Sequence, residues 1–176
     1  MAPLAQALAR AVRRAGDGAM AASGVAVVAM MLLVTGEVLG RNVLNVSILV
    51  ADEVAAYLLV AMTFVGLAPT LRDGGFIRLD AFLVRTRGAR RRAFDLGIVI
   101  VAAAYTAILD WYLWALALKS FELGTTSIQV SRTPLWIPQV VMAAGGLFLL
   151  FELLARFALV VTGQEAEVRS AGNPEL

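Results

Sequence analysis

Cysteine and histidine are both absent from the 176 residues. Their absence excludes disulfides, thiolate nucleophiles, Cys/His metal sites and histidine proton relays. Charge is scarce as well: 16% of the residues are charged and the net charge is +2. The pI near 9.5 comes from arginine, and so small a net charge is poor evidence for a nucleic-acid partner. Any chemistry would fall to carboxylates, hydroxyls, Lys119 or arginine.

Apolar side chains are what the chain has in excess. They make up 60% of it, and the mean hydropathy is +0.81. A soluble domain lies nearer 45–50% apolar, so composition alone points to a membrane protein.

Charge-free runs set the organisation. Residues 18–36, 54–71 and 133–151 carry no charge. Each is long enough to cross a hydrocarbon core of roughly 30 Å at about 1.5 Å per residue. A further run, ending near residue 118, is interrupted only by Asp110. The reading is an all-α integral membrane protein with four transmembrane helices over about 18–39, 52–71, 95–118 and 133–155. These form one domain over residues 1–163, followed by a polar cytoplasmic tail, 164–176. The first span exceeds a usual signal-peptide core of about 7–15 residues and lacks a small-residue cleavage site, so it reads as a retained helix.

Arginine sets the expected orientation. Twelve basic residues fall on one side of the spans; only Arg41, Lys119 and Arg132 fall on the other. The positive-inside rule then places both termini, and the loop holding Arg72, Arg78, Arg85, Arg87, Arg90, Arg91 and Arg92, in the cytoplasm. Within that loop Leu79, Phe82 and Leu83 fall near one helical face, with Arg78 and Asp80 turned away. This fits a short interfacial helix followed by a basic turn, with anionic lipid head groups as its ligand. Its phenylalanines do not form a stacking ladder for single-stranded nucleic acid.

The helix ends carry punctuation. Asp52 and Glu53 open the second span, where acids complement the helix N-terminus; being adjacent, they point about 100° apart and would not share one cation site unaided. Pro69 lies in that helix's last turn. Thr133 is the expected N-cap of the fourth helix, with Pro134 first in the helix and Trp136 at interface depth. Gly24, Gly66, Gly97, Gly145 and Gly146 would admit close helix contacts.

The remaining charges each carry two readings. Asp110 is either a proton or cation site, or a carboxylate of the outer third that snorkels or pairs with a neighbouring helix. Glu37 and Arg41, four apart, form either a local ion pair or a contact with another protein. Glu152 and Arg156 share that spacing. The hydroxyls of Thr125, Thr126, Ser127 and Ser131 have no catalytic neighbours and fit a polar outer loop or docking surface.

In order and spacing these residues resemble one family. Glu37-x-x-x-Arg41, the pair Asp52-Glu53, Gly66, the run from Arg72 through Asp80, and Ser131-x-Thr133-Pro134-x-Trp136-x-Pro138 resemble the small four-helix subunit of TRAP transporters (tripartite ATP-independent periplasmic transporters). The likeness spans about residues 18–163. The family often has His where Phe76 stands, and Trp just before the acidic pair, where this chain has Val50-Ala51.

The resemblance implies a small permease subunit of the bacterial inner membrane and no enzyme activity. Its partners would be a large multispan subunit, a periplasmic substrate-binding protein and membrane lipids. It implies a scaffold or stator for an elevator-type large subunit in sodium-coupled uptake of an organic acid. This chain would hold no cofactor, and the sodium ions would lie in the large subunit. Expected interface or structural residues are Glu37, Arg41, Asp52, Glu53, Arg72, Asp80, Asp110, Arg132, Pro134 and Trp136. The alternative is an autonomous small proton-coupled transporter using Asp110.

Overall fold

Lipid offers no hydrogen bonds to a backbone, so a long apolar run satisfies its own amides by coiling into a helix. The structure, a computed structural model, describes residues 2–46, 49–72 and 89–162. Among the described residues there are four helices: α1 (Ala2–Leu39), continued by a π-helical turn (Gly40–Leu44), α2 (Ala51–Arg72), α3 (Ala89–Glu122) and α4 (Trp136–Thr162). Arg14–Leu44, Ala51–Arg72, Ala93–Glu122 and Trp136–Ala158 are each long and apolar enough to cross a membrane. No β-strand occurs among the described residues. Asp80, Arg85, Arg87, the expected interfacial helix and the tail 164–176 lie outside them.

The helices form a row rather than a closed bundle. α1 packs on α2, α2 on α4, and α4 on α3. Contacts between α1 and α2 run in opposite senses: Gly16 meets Arg72, Ser23 meets Gly66, and Glu37 shares a hollow with Asp52. α3 and α4 are likewise antiparallel, from Asp110 beside Gly146 to Phe121 beside Trp136. One end of the row therefore gathers the C-termini of α1 and α3 with the N-termini of α2 and α4. It is called here the Glu53 end, and the opposite one the Arg72 end.

Small residues hold the row together. Ala26, Ala51, Ala68, Ala117 and Ala143 are buried, whereas large apolar residues such as Val25, Leu32, Ile98 and Val101 stand exposed. Membrane helices associate through close backbone approach, because lipid already solvates large side chains. Successive residues on a helix point about 100° apart, so α4 can use adjacent glycines for different neighbours. A Cβ on Gly145 would lie 2.6 Å from the Phe64 carbonyl oxygen of α2, and one on Gly146 would lie 2.6 Å from Asp110 Oδ1 of α3. Gly66 likewise accepts Ser23 of α1, with 3.2 Å from its would-be Cβ to the hydroxyl. Contrary to the expectation from sequence, a Cβ on Gly24 or Gly97 would meet nothing within 4 Å among the described residues, so these two glycines are not used for close packing there.

α4 begins at Trp136, so Thr133 and Pro134 are not its cap and first residue. The reason is a competing use of their backbone. The Thr133 carbonyl accepts from Ser127 N–H at 2.9 Å, and Leu135 N–H donates to Thr125 at 3.0 Å. Thr126 and Pro134 thereby pair as a single antiparallel bridge. Pro138 then falls in the first helical turn, where a missing N–H costs nothing.

At the Arg72 end, Arg72 donates to Asp17 at 2.8 Å. Its guanidinium fills the space that a Cβ on Gly16 would take. This ties the start of the first span to the end of the second.

Candidate functional site

Several polar side-chain bonds gather at the Glu53 end. α1 does not stop cleanly there. Its last turn widens to π geometry over Gly40–Leu44, and Asn45 adopts a left-handed φ of 53° with its N–H on the Gly40 carbonyl. Val46 N–H reaches the same carbonyl at 3.1 Å. Single π turns of this kind recur at functional sites, and nothing in the residue types announced this one.

The widened turn carries Arg41. Its guanidinium donates to Glu37 Oε1 at 2.7 Å. Glu37 is buried, and Arg41 is exposed. With Asp52 from α2 they line a hollow of about 290 Å³, closed by Val34, Val38 and Asn42. The hollow thus holds two carboxylates and one guanidinium. Because Arg41 is mostly in solvent, Arg41→Ala is expected to change the folding free energy by no more than ~1 kcal/mol. Thermal unfolding in detergent checks this; a larger loss would make the pair a folding element rather than a surface feature.

Glu53, one residue on, points elsewhere. It accepts from the Tyr57 hydroxyl at 2.5 Å and, at short range, from the Ser131 hydroxyl. Ser131 Oγ also lies 2.8 Å from Thr133 Oγ1. A buried carboxylate on α2 therefore fastens the loop between α3 and α4. Asp52 is exposed and lines the other hollow. The two acids serve separate sites, as their angular separation requires.

The loop so held has its own order. α3 ends in a Schellman motif: Gly124 takes φ +58°, its N–H donates to Phe121, and Thr125 N–H donates to Ser120. Gln129 N–H is capped by Ser127 Oγ at 3.1 Å. Arg132 sits at φ 48°, a left-handed conformation costly for a side-chain-bearing residue. Its N–H donates to Gln129 at 3.1 Å, which closes the turn. The rings of Phe121 and Trp136 meet edge to face, with centroids 5.6 Å apart at 89°, pinning the base of the loop. The tip presents Ile128, fully exposed, with Val130 and Leu123 beside it. An ordered loop with an apolar tip is suited to contact, and no nucleophile and base are brought together in it.

Asp110 lies elsewhere, on the seam between α3 and α4. It is 5% exposed, and its Oδ1 has no hydrogen-bond partner. Among the described residues no basic side chain pairs with it, and its burial rules out snorkelling. It shares one face of α3 with Val99, Thr106, Leu113, Ala117 and Ser120, all buried.

The site residues expected from sequence thus separate into groups. Glu37, Arg41 and Asp52 share one hollow; Glu53 meets the loop bearing Arg132, Pro134 and Trp136; Arg72 and Asp110 stand apart from both. The backbones of Arg90, Arg91 and Arg92 open α3 at the Arg72 end. Tyr57 and the Ser131 contact were missed. Glu53-x-x-x-Tyr57 is a helical i,i+4 spacing and was readable, whereas Ser131 lies 78 residues from Glu53. Among the described residues no three carboxylates gather to hold a metal ion.

Residues 30–163 match the family described as tripartite ATP-independent periplasmic transporters, DctQ component. No curated protein matches the chain. The matched region takes in the second half of the first span with its π turn, the Glu53 cluster, the ordered loop and the other three spans.

Proposed function

The chain belongs to the family of DctQ components of tripartite ATP-independent periplasmic transporters, and from that membership we propose that it acts as a fixed scaffold for the moving large subunit. The family is one of transporter components rather than enzymes, and its member is the small permease subunit. In the proposed assembly a periplasmic protein captures an organic acid. The large subunit carries it, coupled to sodium, by an elevator motion. This chain braces the stationary part in the inner membrane, with both termini and the arginine-rich end in the cytoplasm. Substrate and sodium contacts belong to the other subunits.

One observation carries the reading: the Glu53–Ser131 clasp. It ties the start of α2 to the loop between α3 and α4 across 78 residues and orders a loop whose tip is apolar. Secondary transporters that work alone commonly use broken helices and polar sites at mid-membrane. Here the spans pack through glycine and alanine, and the polar bonds gather at the ends.

The test is copurification. The full chain, expressed with the large multispan subunit of its transporter, is expected to purify as a stable complex. Glu37→Ala, Arg41→Ala or Asp52→Ala should weaken assembly or uptake while leaving the substrate profile unchanged. A chain that never associates with a larger subunit would overturn the scaffold role, and a changed profile would move the substrate contacts into this chain.

The unpartnered oxygen of buried Asp110 favours a second reading, an autonomous proton-coupled transporter. Under the scaffold reading, Asp110→Asn keeps both the fold and uptake, because the amide has the same shape. Under the second reading, purified chain alone moves solute in liposomes and the substitution stops it.

A further inference from the structure

α3 carries a feature that the scaffold role does not use. Its buried residues, from Val99 to Ser120, all face α4. On roughly the opposite face, by the ~100° helical step, an apolar groove of about 810 Å³ runs along the first half of the helix. Gly97 and Val101 lie along its centre, and Phe94, Ile98 and Tyr105 rise on one side. Arg90 closes it at the Arg72 end. Phe94, Ile98, Val101 and Tyr105 are all exposed, and the space around Gly97 is open.

We propose that this groove is a binding site for an anionic glycerophospholipid, one acyl chain lying along Gly97 and the headgroup phosphate on Arg90. The dimensions support it. From residue 93, where the span begins, to Tyr105 the groove extends about 18 Å at 1.5 Å per residue. One leaflet of a roughly 30 Å hydrocarbon core is about 15 Å deep. An acyl chain entering beside Arg90 therefore ends near the bilayer midplane, where the groove ends.

The charge supports it too. Arg90 begins a run of three arginines, at the end of the span where a headgroup sits. A basic group at that depth attracts anionic lipid and gives a neutral lipid no comparable advantage. The apolar strip is confined, among the described residues, to one helix, and a single anionic lipid covers such a strip and meets Arg90 with one molecule.

The experiment uses full-length chain in nanodiscs of equimolar phosphatidylglycerol and phosphatidylcholine, with retained lipids counted by native mass spectrometry. Phosphatidylglycerol is expected to be retained over phosphatidylcholine. Arg90→Gln should lower that ratio about fivefold, the factor equivalent to ~1 kcal/mol for one basic residue at a charged surface. Gly97→Leu fills the groove without touching the α4 seam. It should bring the ratio to that of the bulk lipid while the thermal midpoint stays unchanged. Arg156→Gln removes a charge on α4 and should leave the ratio alone; an equal fall there would mean diffuse attraction and overturn the site. Retention unchanged in both groove variants would overturn it as well. So would a benzophenone placed at Ile98 in native membranes that captures polypeptide, whether a partner or residues 73–88 of this chain, instead of phospholipid.

Discussion

Gly145→Ala is expected to destabilise the chain by about 1–3 kcal/mol, the usual range for overpacking a tight contact. The added methyl would lie 2.6 Å from the Phe64 carbonyl oxygen, 2.7 Å from its carbon and 2.8 Å from its Cβ. Two of those atoms are backbone, so relief requires α2 and α4 to move apart. α2 and α4 are the two central helices, and their separation divides the row into halves. Gly146→Ala should cost less, because its nearest neighbour is the Asp110 carboxylate, a side chain that can turn. Gly24→Ala meets nothing within 4 Å and should be neutral or slightly stabilising, since alanine is the better helix former. Thermal unfolding of the three variants in one detergent checks the order. Equal midpoints for Gly145→Ala and Gly24→Ala would mean that the α2–α4 contact is looser than the geometry requires. The scaffold role predicts that assembly with the large subunit falls with the same order.

Glu53→Ala is expected to release the α3–α4 loop without unfolding the spans. Ser131 loses its acceptor, Tyr57 loses its partner, and the strained backbone at Arg132 loses the contact one residue away that holds it. Arg132 is exposed and offers trypsin a site once the loop opens. Cleavage after Arg132 should rise by roughly tenfold or more, since proteolysis follows the population of the open form. Glu53→Gln keeps an acceptor oxygen and should fall between wild type and alanine. Helical circular dichroism should be unchanged in both. A cleavage rate equal to wild type in Glu53→Ala would show that the Schellman turn and the Phe121–Trp136 contact hold the loop unaided. With the loop released, uptake should fall even where copurification persists, because the apolar tip no longer presents one shape to a neighbour.

Particular residues show where reading from sequence succeeds and where it stops. The four spans were legible because apolar length is a local property: a chain that must satisfy its own backbone in lipid becomes helical wherever the run is long enough. The 100° separation of Asp52 and Glu53 was equally local, and it correctly denied them a shared site. Their roles were not local. N-terminal charge complementation accounted for both acids equally, yet only Glu53 meets Ser131. The start of α4 moved to Trp136 because the bonds flanking an isolated bridge claimed the Thr133 carbonyl and the Leu135 N–H, a choice that capping preferences do not reveal. Of five glycines credited with close packing, Gly66, Gly145 and Gly146 make it within the chain. A Cβ on Gly24 or Gly97 would meet nothing within 4 Å among the described residues, and small-residue spacing does not encode what lies against them.

The sequence by itself therefore determined that this is a four-span helical membrane protein with one arginine-rich end, and its motif order carried the family. Tertiary structure alone decided that the helices stand in a row, that Asp110 is buried against Gly146, and that Glu53 clasps a distant loop. The difference is physical. Helix formation and membrane crossing depend on neighbours three or four residues away. Close packing and buried polar pairing depend on which surfaces meet, and no repeating pattern along the chain encodes a partner 78 residues distant.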